Sequence, residues 1–277
     1  MEVNALRIGR KWHGYRGPGP GRTFAVHSVF ARTVNLATGR ELLSLVGADS
    51  SGSSSFLTLP CRKPDLGLKT GDPCAVRDGR LYLADLTVDF GNAPLWEGVL
   101  PMNFRGRVRE ENIAVFKAIL DRKASPESAW RQVSGNPGGP FRRLSAILDL
   151  GESPEAARDL VGLGPGLTPS GDDMLVGYLA IAFHTFGDRE FVRTLARTVR
   201  DLLPGTCDIS AGVLENAAGG DFCEQVQRCV LDLCRGGKED LYLSVASLLE
   251  IGASSGADIA AGMYAAMYDR RKNKSAV

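Results

Sequence analysis

The chain has 277 residues, 44% hydrophobic and 23% charged, a composition that excludes disordered and fibrous classes. Its length exceeds one ordinary hydrophobic core, so two domains, or one large domain with a smaller partner, are expected. With 33 Lys and Arg against 32 Asp and Glu, the formal charge of +1 gives no global field for nucleic acid or an anionic membrane, and any anion site must be local.

Met1 to Trp12 lack the apolar stretch of a signal peptide, and no later run approaches the roughly 18 residues needed to span a bilayer. A cytoplasmic protein with no membrane and no nucleic-acid partner is therefore expected. Residues 7–22 mix Arg7, Arg10, Lys11, Arg16 and Arg22 with Gly14, Gly17, Pro18, Gly19 and Pro20, which predicts a flexible basic arm. From Thr23 to Val99 short runs rich in Val, Leu, Phe and Thr predict strands over Thr23–Val34, Glu41–Val46, Phe56–Leu59, Cys74–Arg77, Arg80–Leu83 and Thr87–Phe90. Turn residues separate them, and Asp78-Gly79 suits a tight hairpin. A small β-barrel or sandwich follows.

After Pro101 the period becomes helical. Helices are expected over Glu110–Leu120, Pro126–Val133 behind Ser125, Phe141–Leu150 after a loop at Gly135–Pro140, and from Ser153, an N-cap serine followed by proline. Met174–Phe183 is apolar on nearly every side, which predicts a central buried helix. Phe191–Leu203, Ala211–Ala218, Phe222–Cys234, Asp240–Glu250 and Asp258–Tyr268 complete a bundle, with fraying expected after Arg270. The fold class is α+β: a β-rich domain over residues 1–105 and a mainly α-helical domain over 106–277. Six cysteines form no C-x-x-C pair and the three histidines are scattered, so neither zinc nor disulfides are expected.

The most informative feature is a repeat. Ser170-Gly-Asp-Asp-Met-Leu-Val-Gly177 and Ser255-Gly-Ala-Asp-Ile-Ala-Ala-Gly262 both read Ser-Gly-x-Asp-x-x-x-Gly, 85 positions apart. Ser-x-x-Asp before an apolar run fits a capping box, Ser170 with Asp173 and Ser255 with Asp258, and the later glycines allow close helix packing. Capping does not require Gly162, Gly164, Gly166, Pro165, Pro169 or the second carboxylate of Asp172. A glycine-rich turn feeding a helix N-terminus gathers amides that suit a phosphate or carboxylate. The loop is neither a Walker A sequence nor a dinucleotide fingerprint, since no Lys-Ser/Thr follows the glycines and no strand leads in. Asp172 is the residue expected to face a ligand while Asp173 caps, although the two can exchange roles. The carboxylates tolerate an anion only if a cation such as Mg2+ intervenes or if they meet N–H donors. His184 and His27 read as core or helix-end residues, and Arg142 and Arg143 as a solvated face within reach of a phosphate. No nucleophile–base set can be assembled.

Gly164-Pro-Gly-Leu-Thr-Pro-Ser-Gly-Asp-Asp173 together with Ile251-Gly-Ala-Ser-Ser-Gly-Ala-Asp258 resembles the AllH-like family. Val34-Asn-Leu36 with Gly39 and Glu41-Leu-Leu43 is similar to its N-terminal strand pair, and Ile209-Ser210 to Gly219 to its middle helix. The resemblance implies a subunit of oxamate carbamoyltransferase, from anaerobic allantoin breakdown, which phosphorolyses oxalurate to oxamate and carbamoyl phosphate. It also implies AllF-like and AllG-like partner subunits, one of them related to acyl-CoA synthetases. Where the family carries a His-Thr pair this chain has Ala253-Ser254, so any role of that histidine is absent here.

Together these readings give a small anionic, phosphate-bearing ligand held by Gly164, Gly166, Thr168, Ser170, Gly171, Ser255 and Gly256, with Asp172, Asp173 and Asp258 as the catalytic carboxylates. No cofactor is required; Mg2+, on Asp172 and Asp258, is the candidate ion. Asp172→Asn should then abolish turnover with little change in melting temperature. The alternative is a non-catalytic assembly or regulatory subunit, or a small-anion-binding protein. Its motifs only cap helices, so Asp173→Asn and Asp258→Asn cost about 0.5–2 kcal/mol of stability. A metal-dependent hydrolase ranks third.

Overall fold

The computed structural model describes residues 2–135, 147 and 149–275, apart from Arg40, Asp65 and Met102. The chain packs as two compact units, residues 1–98 and 99–277.

The first unit is a curled nine-stranded sheet. Its strands are β1 (Glu2–Asn4), β2 (Arg7–Ile8), β3 (Arg22–Val29), β4 (Thr33–Thr38), β5 (Glu41–Val46), β6 (Phe56–Thr58), β7 (Pro73–Arg77), β8 (Arg80–Leu83) and β9 (Leu86–Asp89), in the order β1-β9-β8-β7-β3-β4-β5-β6-β2. The edge strands β1 and β2 are separated only by Ala5 and Leu6, so both ends of the sheet return to one stretch of chain. The pairs β1–β9 and β5–β6 are parallel and the others antiparallel. Period-2 alternation turns Phe24, Val26, Leu43, Leu45, Leu81 and Val88 into one core. At the β7–β8 turn Asp78 and Gly79 have φ of 52° and 74°, the left-handed pair that a two-residue hairpin needs.

Two expectations are corrected here. The run Thr23–Val34 is not one strand: β3 ends at Val29 and β4 begins at Thr33, joined by a tight connection in which the Phe30 amide donates to the Thr33 carbonyl at 2.8 Å. The basic segment is not a free arm at its start, because Arg7–Ile8 pairs with β6 and Arg10–His13 forms a short helix, α1. Trp12 anchors it, fully buried and donating its indole N–H to the Ser55 carbonyl at 2.8 Å.

The second unit is helical: α2 (Glu110–Lys123), α3 (Ala129–Gly135), a 3-10 helix at Pro154–Asp159, α4 (Ser170–Thr185), α5 (Arg189–Leu202), α6 (Asp208–Ala218), α7 (Glu224–Arg235), α8 (Lys238–Leu249) and α9 (Ser255–Ser275). Residues 99–105, grouped by composition with the β-rich part, pack with these helices: Leu100 and Phe104 join their core, and the Val99 and Leu100 amides donate to Gln227 Oε1 at 2.8 and 2.9 Å. The helix expected from Pro126 starts at Ala129 and includes Gly135. The rest of the Gly135–Pro140 loop and most of the expected Phe141–Leu150 helix, with Arg142 and Arg143, lie outside the described residues. Ser153 does precede a proline-led turn, but its hydroxyl donates to Glu155 rather than accepting an amide. α9 continues to Ser275, beyond the expected fraying point.

α4 is buried along nearly its whole length, as its uninterrupted apolar sequence requires. It lies beside α9 and runs in the same direction, since Ser170 meets Asp258 at one end and Tyr178 donates to Asp269 at 2.9 Å further along. The repeated glycines make this possible. A Cβ on Gly177 would overlap the carbonyl of Ile259, and one on Gly262 would overlap the carbonyl of Met174. Ile259 and Met174 are equivalent positions of the two copies, so the contact has local two-fold symmetry.

Candidate functional site

The loop before α4 turns three times through left-handed backbone, at Gly162 (φ 72°), Gly164 (φ 122°) and Gly166 (φ 92°). Gly162 and Gly164 also leave no room for a side chain, facing the Gly205 carbonyl and the Ser170 amide. Pro165, Gly166 and Leu167 form the exposed tip. Among the described residues no acceptor meets the amides of Gly164 and Gly166. By contrast several first-turn amides of both helices are satisfied internally. The Gly171 amide donates to Leu163 and those of Asp172 and Asp173 to Pro169, while Gly256 donates to Ile251 and Asp258 to Ser254.

The capping boxes do not form as expected. Pro169 occupies the N-cap of α4 without a side-chain bond, and Ser170 is the first helical residue. Each motif serine instead sits beside the other motif's aspartate. The Ser255 and Thr168 hydroxyls stand next to Asp173, and the Ser170 and Ser254 hydroxyls next to Asp258. The Thr168 and Ser255 hydroxyls are themselves 2.8 Å apart, linking the loop to α9. Thus the two copies meet at their N-termini and exchange partners, which explains why both carry serine and aspartate at equal spacing.

The three carboxylates divide sharply. Asp172, 1% exposed, has its oxygens filled by the protein: Oδ1 accepts the Gly162 amide at 2.8 Å, and Oδ2 accepts the hydroxyls of Thr206 and, at 2.6 Å, Ser210. It fastens the glycine loop to the start of α6. Asp172, the residue expected to face a ligand, is thus the fastener, with both oxygens occupied by the protein. Asp173 (4% exposed) and Asp258 (0%) each bury an Oδ2 with no partner among the described residues. Asp258 Oδ1 accepts the Ala129 amide at the start of α3 at 2.6 Å.

Their electrostatics follow from this. Burial strips Asp173 of water and pushes its carboxyl up to about 8, reinforced by Asp258 and Asp172 and opposed by the neighbouring hydroxyls. Burial also raises Asp258, to about 6, against the lowering effect of Ser170, the Ala129 amide and Ser254. Asp173, which feels the charge of Asp258, does not ionise readily while Asp258 is ionised.

Of the other expected site residues, Gly171 and Gly256 are buried where a Cβ would strike the carbonyls of Leu160 and Leu248, so both are required for packing. Thr206, Ser210, Ser254 and the Ala129 amide complete the site. Sequence alone singles out none of these four as a site residue; Ser210 and Ser254 lie in stretches that carry the family resemblance, without a role assigned to either. His184 is a core residue between Phe104 and Phe222, its ring 6.0 and 5.8 Å from theirs. Burial lowers it to about 4, and its Nδ1 has no partner among the described residues. His27 lies on β3 beside Ser28. Among the described residues no three His, Cys, Asp or Glu gather as metal ligands, and no helix is long and apolar enough to cross a membrane.

Two family models match the chain. Residues 4–95 match the AllH family N-terminal domain, and residues 160–267, which hold both motifs, match the model described as oxamate carbamoyltransferase subunit AllH. No curated protein and no solved structure matches it.

Proposed function

The chain belongs to the AllH family, and from that premise we propose that it is the subunit of a carbamoyltransferase complex that binds the small anionic substrate where α4 and α9 begin together. The reaction is the phosphorolysis of oxalurate to oxamate and carbamoyl phosphate, or a related carbamoyl transfer. The observation that carries this reading is the pair of buried Oδ2 atoms on Asp173 and Asp258, without a partner among the described residues, at a doubled helix N-terminus. An unpaired buried carboxyl oxygen costs roughly 1–3 kcal/mol or more, so a fold that keeps two of them side by side gains nothing in stability from doing so.

The anionic end of the ligand lies against the exposed amides of Gly164 and Gly166, where the dipoles of two parallel helices add. Thr168, Ser170, Ser254 and Ser255 supply hydroxyls, and Asp258 accepts from the carbamoyl NH2. Asp172 acts as a positioning residue by holding the loop. Orientation and charge stabilisation suffice, with no covalent intermediate. Asp172 is not a ligand for Mg2+ in this reading, because both its oxygens accept from the Gly162 amide and the Thr206 and Ser210 hydroxyls. In the assembled complex Asp258→Asn should reduce carbamoyl phosphate formation at least about 100-fold, the scale of a lost transition-state contact. Unchanged turnover in a folded variant would refute the site.

One observation favours a second reading, that of a non-catalytic assembly subunit. The amides of Gly171, Asp172, Asp173, Gly256 and Asp258 and the close glycine contacts are used within the protein. Under it the isolated chain binds none of phosphate, carbamoyl phosphate, oxamate or oxalurate.

A further inference from the structure

We propose that Asp173 and Asp258 act as a dyad holding one proton, with Asp173 the acid and Asp258 the carboxylate, and that together they read a primary amide, –CO–NH2. The inference rests on the functional reading above and adds to it which group carries the proton and what the site rejects.

The geometry distinguishes the two residues. Asp258 accepts a backbone amide, from Ala129 at 2.6 Å, which cannot turn away and favours the ionised form. Among the described residues no amide is donated to Asp173. Its neighbours are the Thr168 and Ser255 hydroxyls, and at 2.8 Å these bond to one another, so one of their two protons is spent between them. Asp173 is therefore the poorer place for a negative charge. The raised values of about 8 for Asp173 and about 6 for Asp258 agree in order. The charged group facing the pair from α4 is Asp172, α9 contributes only Asp258 itself, and no cation faces them among the described residues.

A neutral acid beside a carboxylate presents one O–H donor and one acceptor. A primary amide presents the complement, a carbonyl oxygen for Asp173 and an N–H for Asp258. A carboxylate in the same place offers no N–H and meets a like charge. The site therefore selects amide over acid at the same size, by a group left unpaired and not by shape.

The test is calorimetric titration of the full chain with oxamate and with oxalate, which differ only in NH2 against O−, over pH 5–9. Wild type should bind oxamate at least about tenfold more tightly than oxalate. Oxamate affinity should be bell-shaped in pH, weakening below about 6 and above about 8, with one proton taken up on binding at pH 9 and almost none at pH 7. Asp173→Asn, which keeps a donor but cannot titrate, should lose the alkaline limb; Asp258→Asn should weaken binding at least about tenfold. Equal binding of oxalate, no proton uptake at pH 9, or an alkaline limb that survives in Asp173→Asn overturns the dyad while leaving the binding site standing. The proton count is read on wild type and does not depend on either variant folding. A folded wild-type chain that binds neither compound removes the binding site, and the dyad with it.

Discussion

Asp173 keeps its proton to about pH 8 because burial penalises its charge, and the consequence for stability has a definite sign. Its folded value lies above that of an unfolded aspartate, so its contribution favours the fold at low pH and is lost progressively as pH rises through 8. Asp258 behaves alike over a narrower window, ending near 6. His184 acts oppositely: its folded value of about 4 is below the unfolded one, so its contribution is complete above about 6.5 and lost as pH falls toward 4. Asp173 thus dominates between about pH 6.5 and 8, where stability should decline. Asp173→Asn should remove that decline and raise stability at pH 8 by on the order of 1 kcal/mol or more, reversing the loss expected of a capping aspartate. Urea unfolding at pH 6.5 and 8 measures this, and an equal or lower midpoint in the variant at pH 8 would contradict it. Asp172→Asn should instead destabilise by about 2–4 kcal/mol, because the Gly162 amide and the Thr206 and Ser210 hydroxyls lose their shared acceptor. An unaltered melting temperature would show that Asp172 is not the fastener. The spacing of Ser170, Asp173, Ser255 and Asp258 was legible in the sequence, but their exchange of partners was not. A local capping frame pairs each serine with its own aspartate, and only the approach of α9 to α4 makes the other pairing available.

That approach depends on two glycines. Gly177 and Gly262 let the helix backbones touch, and a methyl group at either would force apart the helices whose N-termini compose the site. Gly177→Ala and Gly262→Ala should each cost about 3 kcal/mol or more and loosen ligand binding, whereas Ala for the exposed Gly166 should leave binding within a fewfold once its left-handed φ is accommodated. A Gly177→Ala variant as stable as wild type would show that the close contact is dispensable. Elements were readable where local chemistry marked them. Asp78-Gly79 fixes the β7–β8 hairpin, and the unbroken apolar run of α4 announces a central helix. The break between β3 and β4 was not readable, because Phe30-Ala-Arg32 has neither glycine nor proline to signal a turn. Nor was the ordering of Arg7–His13, where a local excess of arginine, glycine and proline conceals Ile8 and Trp12, whose burial is decided by distant residues such as Ser55.

At the scale of the whole molecule, both motifs, the glycine loop and the Asp172 attachment lie in the helical unit, residues 99–277, while the curled sheet of residues 1–98 contributes none of them. Membership of a family named for a subunit is what makes partner proteins expected, and the proposed site, assembled within one unit, predicts that the isolated chain binds ligand. The most direct test is thermal unfolding of the purified chain with carbamoyl phosphate, phosphate, oxamate and oxalurate, each with Mg2+ and with chelator. At about 100 times its dissociation constant a ligand that binds only the folded chain stabilises it by about 2.7 kcal/mol, a shift of several degrees. We predict such a shift with a carbamoyl-bearing ligand in wild type and its loss in Asp258→Asn. No shift with any of the four compounds would place binding and chemistry on the partner subunits and leave the paired motifs a packing device.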